Sequence, residues 1–225
     1  MSEEPRVFDA AHVRGALASG ESWLRLDALD GLAEINEQCL ELMCDQAECA
    51  AGSSPAVLIE LRSLWCGLDG AARRRAARCP VLLVDAGFMR TARWERLHER
   101  RIHDRERTLQ PSAFFTVPRT IAVTRLVLAY GWHLARGECA AARLFLGMSP
   151  PCVELIAACT LRTVIQLAES RPDLLRPRWT ERLRVWRDLL TWAQAEDSGG
   201  LECVRLRGMQ LLAAEARSWQ AAQVD

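Results

Sequence analysis

Ala142-Arg143-Leu144-Phe145-Leu146-Gly147-Met148-Ser149-Pro150-Pro151-Cys152-Val153-Glu154-Leu155-Ile156 is the stretch whose reading decides the fold. Residues 142–146 favour helix, and Gly147 can take positive φ at no steric cost, so the chain can turn sharply there. Met148 is placed to plug the turn. Ser149 suits a helix cap, with Pro150 in the first helical position, where a missing N–H costs nothing. Val153 and Ile156 then share an inward face. Two short helices meeting across a glycine turn have the layout of a helix-turn-helix. Plain helical packing produces the same layout, and both readings stand at this point. The DNA chemistry is poor, because Pro150, Pro151, Cys152 and Glu154 stand where Arg, Lys, Asn or Gln would read base edges.

Working outward, the same helical spacing recurs almost everywhere. From a cap at Asp27, the residues Leu29, Leu32, Ile35, Cys39, Leu42 and Met43 step by three and four to about Ala50, and Ala51-Gly52-Ser53-Ser54-Pro55 stops the helix. A second helix is expected from Ala56, carrying Leu58, Leu61, Leu64 and Trp65, and a third from Asp69 through Arg78. Residues 90–108 are mostly charged and read as a solvated helix running into a connector at Gln110-Pro111-Ser112. Helices resume near Pro118 and are expected over 121–136, 138–146, 150–158, 161–170, 178–195 and, after Ser198-Gly199-Gly200, 201–222. The expected fold is all-α, a multi-helix bundle in two lobes, 1–108 and 109–225.

Laid on itself at an offset of eighty, the chain shows a degenerate repeat. Leu64-Trp65 falls on Leu144-Phe145, Gly67-Leu68-Asp69 on Gly147-Met148-Ser149, and Cys79-Pro80-Val81 on Cys159-Thr160-Leu161. Val81-Leu82-Leu83-Val84 alone looks strand-like, and the second copy favours a short helix for 81–85 instead.

Leu146-Gly147-Met148-Ser149, Thr160-Leu161-Arg162 and Leu167-Ala168-Glu169-Ser170 carry a family resemblance. This segment resembles the core of FlhD, the flagellar transcriptional regulator subunit that partners FlhC, and the similarity runs upstream over Leu128, Leu134, Ala140 and Ala142. It covers about residues 123–172. The resemblance implies an all-helical, dimerising bacterial transcription regulator that acts on DNA with a partner. The chain departs from the family in its greater length, in Pro150-Pro151 where a polar or acidic pair is expected, and in lacking the zinc-binding Cys cluster expected of the partner subunit.

Composition narrows the chemistry. The 225 residues carry 29 basic and 29 acidic side chains, so no net field draws the chain to nucleic acid or membrane. Every basic residue is Arg, which removes Schiff-base lysines and the Gly-Lys-Ser/Thr phosphate loop. No Gly-x-Ser-x-Gly elbow occurs, and no catalytic constellation can be named, so the expected class is non-enzymatic, with no cofactor and no small-molecule substrate. His98 and His103 lie five apart, about 140° around a helix, and cannot share a metal there. The nine Cys include no C-x-x-C pair, and most read as small buried hydrophobes in a reducing cytoplasm. No apolar run of about 18 residues suggests a membrane span, and the acidic Met1–Pro5 start lacks a signal region.

Two arginine clusters could touch phosphate: Arg73, Arg74, Arg75 and Arg78, and then Arg176, Arg178 and Arg182 with neighbours at 171, 184 and 187. If both lie on one face, DNA binding is favoured; if they are dispersed, an adaptor without DNA contact is favoured. Trp179 and Trp186, seven apart, suit a packed helix seam better than base stacking. Eight Trp and many Leu-rich faces further suggest a protein partner or self-association.

Overall fold

Helical periodicity carries into the structure, a computed structural model that describes the backbone of residues 21–100 and 113–222 and side chains from 28–97 and 113–222. Among the described residues the chain forms eleven α-helices and two two-residue strands. The first half holds α1 (Glu21–Glu48), α2 (Ala56–Ile59), α3 (Arg62–Cys66), α4 (Gly70–Ala77), β1 (Val84–Asp85) and α5 (Thr91–Arg100). The second holds α6 (Thr120–Gly137), α7 (Cys139–Leu146), α8 (Pro150–Ala158), α9 (Leu161–Ser170), β2 (Arg176–Pro177), α10 (Leu183–Gln194) and α11 (Ser198–Ala221).

α1 and α6 form the spine. They run antiparallel, since Gln46 and Glu41 near the end of α1 meet Thr116 and Arg119 before α6, while Tyr130 donates back to the Ala28 carbonyl. α3 and α4 pack on α1, and α7, α8 and α9 pack on α6. α10 closes the core by lying against α4 and α3, with Trp186 tilted against Trp65 at 5.4 Å between centroids. One apolar core therefore runs through elements from both sides of the expected lobe division. The division at 108/109 itself lies outside the described residues.

At the offset of eighty, some local features coincide. Asp69 accepts from the Ala72 N–H at 2.7 Å to cap α4, and Ser149 accepts from the Cys152 N–H at 3.3 Å to cap α8. Trp65 and Phe145, Leu68 and Met148, Ala72 and Cys152, and Ala76 and Ile156 are buried at equivalent positions. The copies part at both ends: Gly67 is right-handed while Gly147 is left-handed at φ 65°, and Cys159 leads into α9 where Cys79 leads into extended chain.

That last difference corrects the expectation of a short helix at 81–85. Asn36, fully buried on α1, donates to the carbonyls of Ala77, Cys79 and Val81 and accepts from the Leu83 N–H at 2.9 Å. The Leu82 N–H finds the Phe145 carbonyl, and Val84 pairs antiparallel with Pro177. With backbone groups satisfied by distant partners, no helix is needed to bury this segment.

Four other boundaries differ for local reasons. α1 is already helical at Glu21, the first described residue, and runs through Asp27, because Glu21–Leu26 are good helix formers that need no cap at 27. The helix expected from Ala56 is broken into α2 and α3, with the Trp65 indole bonded to the Val57 carbonyl across the break. α10 starts at Leu183 rather than Arg178, because Arg178 and Trp179 are committed to tertiary contacts and Trp179 holds a positive φ of 52°. Ser198-Gly199-Gly200 forms the first turn of α11 rather than a separator: Asp197 accepts from the N–H groups of Gly199 and Gly200. A Cβ on Gly200 would lie 2.6 Å from the Trp192 ring, so glycine permits the close α10–α11 corner.

The charged stretch at 90–97 is also less solvated than its composition suggests. Trp94 stacks on Phe88 and donates to the Gly87 carbonyl, and Leu97 is buried beside it. His98 and the residues through Ser112 have no described side chains.

Candidate functional site

The glycine turn forms as its residues dictate. α7 ends at Gly147 in the left-handed region, Met148 is buried beneath the turn, and Ser149 caps α8, which leaves at 120° to α7. Ser149 is further tied to the 88–91 loop, through its N–H to the Phe88 carbonyl and its hydroxyl to Thr91 at 2.9 Å. Gly147 is closely covered: a Cβ there would lie 2.5 Å from Leu212 of α11. The C-terminal half of α11 thus lies over the turn.

Between them runs an open groove of about 510 Å³. α7 contributes Arg143 and the half-exposed Leu144, the turn contributes Met148 to Pro150, and α11 contributes Met209, Leu212, Ala216, Arg217 and Trp219. The lining is apolar with two exposed arginines and no carboxylate. Sequence reasoning singled out the turn but missed the groove, whose second wall lies more than sixty residues away.

The helix that would read DNA in a helix-turn-helix is poorly presented for it. α8 packs against α6 and α5, so Cys152, Val153 and Ile156 face inward and only Glu154 and Ala158 are fully exposed. None of these offers the donor pattern that reads a base edge.

Several of the candidate arginines are engaged within the protein itself. Arg178 is buried: Nε donates to the Leu82 carbonyl at 2.9 Å, Nη2 to the Leu146 carbonyl at 2.6 Å, and Nη1 reaches Glu215 at 3.4 Å. It clasps β1, α7 and α11 together and presents no donor to a phosphate, which corrects its place among the phosphate candidates. Arg73 donates to the Leu68 carbonyl and approaches Glu41, while Arg75 bonds the Ala193 carbonyl and pairs with Glu196 at 3.1 Å. Arg74, Arg78, Arg176 and Arg182 are exposed. Arg75 lies at the C-terminal end of α10 and Arg182 at its N-terminal end, separated by the helix length of about 18 Å. Trp186 is core, and Trp179 is half-buried with its indole on Glu215.

Burial holds Cys39 and Cys152 well above the ordinary thiol range and pushes Cys79 up to about 11. Cys49, Cys66, Cys139 and Cys203 are exposed and only Cys39, Cys79 and Cys152 are buried, against the expectation that most Cys would be. Among the described residues no cluster of His, Cys, Asp or Glu has the makings of a metal site, and no single helix is long and apolar enough to cross a membrane. A scan of protein-family models gives no match to the chain, and comparisons with curated proteins and with solved structures give none either.

Proposed function

We propose that the chain is a non-catalytic helical adaptor that works by binding a protein partner and does not itself read DNA. The observation that carries this reading is the presentation of α8: its first turn is Pro150, Pro151 and a buried Cys152, walled by α11. The engagement of Arg73, Arg75 and Arg178 by carbonyls of the protein supports it, because phosphate binding needs free basic groups.

A second reading keeps the regulatory role implied by the FlhD resemblance, with the DNA contacts carried by the partner. The 120° helix pair around a left-handed Gly147 and the Ser149 cap favour it over an unrelated bundle. Affinity capture from the native host, followed by a mobility shift on any captured DNA, separates the two. Recovery of a protein without DNA supports the adaptor. Recovery of a protein–DNA complex that the purified chain cannot form alone supports the second reading. A salt-sensitive shift produced by the purified chain overturns both.

A further inference from the structure

The lining of the groove between α7, the Gly147 turn and α11 includes two arginines and no carboxylate. Beyond Met209, α11 carries two charged groups among the described residues, Glu215 and Arg217. Glu215 is engaged by Arg178 and by the Trp179 indole. Arg217 is exposed and, like Arg143 across the groove, has no ion pair among the described residues. Arg205 and Arg207, earlier on the same helix, pair with Glu202 and Asp188. Among the described residues, two cations without an ion pair therefore flank an apolar floor.

We propose that this groove is the partner-binding surface and takes an acidic amphipathic helix of the protein partner. The assignment rests on the adaptor reading and specifies its ligand. The exposed Leu144 and Met209, backed by the buried Met148 and Leu212, receive residues spaced i, i+3, i+4 and i+7, and Arg143 and Arg217 receive carboxylates on the flanks. Met209 to Gln220 spans about 17 Å of α11, which matches about three turns of bound helix. The walls are helices and offer no strand edge, so an extended peptide gains no backbone ladder here. A second copy of the chain is disfavoured as occupant, because a two-fold contact through this groove sets each Arg143 and Arg217 against the same residues of the other copy.

The test uses two fluorescent fourteen-residue peptides with the same leucine face, one carrying Glu on its polar positions and the other Lys. Fluorescence anisotropy with the full chain at low salt should show the Glu peptide binding about tenfold more tightly than the Lys peptide. The double variant Arg143→Glu/Arg217→Glu should reverse that order, and Met209→Glu should weaken both. All three positions are exposed, so the fold is retained, and circular dichroism checks that it is. Equal binding of the two peptides, no binding, or an order unchanged in the double variant overturns the groove assignment. So does sedimentation showing a dimer broken by Met209→Glu. Parallel capture from host lysate separates this failure from that of the adaptor reading. A partner held equally by wild type and double variant leaves the adaptor intact and places its surface elsewhere, whereas no partner at all removes the adaptor too.

Discussion

Two polar side chains do more for this fold than their local sequence announces. Asn36 shares its two amide protons among three carbonyls and accepts from one N–H, all 41 to 47 residues away, so Asn36→Ala leaves a set of buried backbone groups unpaired. The expected loss is roughly 2–4 kcal/mol, read from the urea midpoint, and an unchanged midpoint contradicts the role assigned to the amide. Asp173 is a second case. Burial alone raises its pKa, but the hydrogen bonds and charge of Arg171, with Arg93 beyond, outweigh burial and hold the carboxyl below the usual carboxylate range. A depressed folded-state pKa gives stability that is present above the unfolded value near 3.9 and is lost as pH falls through the folded value. Asp173→Asn should therefore lower stability at neutral pH and flatten the acid limb of a stability–pH curve. An acid limb identical to wild type is the contrary result.

At the scale of elements, capping and turn chemistry were legible because they are local. Ser149 and Asp69 are read as caps from their own neighbours, and both cap. The helices at 150–158 and 161–170 follow from the same signals. What was not legible depends on partners far along the chain. Segment 81–85 is extended because Asn36, Phe145 and Pro177 meet it there, and Arg178 looked like a surface cation until Leu82 and Leu146 supplied carbonyls for it. The two glycines of the repeat make the distinction measurable. Gly147→Ala forces a left-handed residue against Leu212 and should cost roughly 1–3 kcal/mol. Gly67→Ala, at φ −85°, should cost clearly less. Equal losses in thermal unfolding mean that the Gly147 turn is not held as described.

For the whole molecule, the all-α class was legible from composition and spacing, since Ala, Leu, Arg and Glu dominate and β-branched runs are short. The candidate site was legible only by half. Gly147, Met148 and Ser149 mark one wall, but no sequence signal brings Met209 and Arg217 opposite them, because α11 reaches the turn through the α10–α11 corner at Gly200. The same arrangement turns a segment with the layout of a DNA-reading motif towards another helix. The central claim is thus that the chain meets a protein at the α7–α11 groove rather than DNA at α8. The most direct measurement places a photoreactive benzophenone side chain at position 209, in the groove, and in a second protein at position 154, on the exposed face of α8. Both are irradiated in host lysate with its DNA present. The account predicts one discrete protein adduct from position 209, lost with Arg217→Glu, and no DNA adduct from position 154. A DNA adduct from position 154 that disappears with salt, or a protein adduct from 209 indifferent to Arg217→Glu, contradicts it.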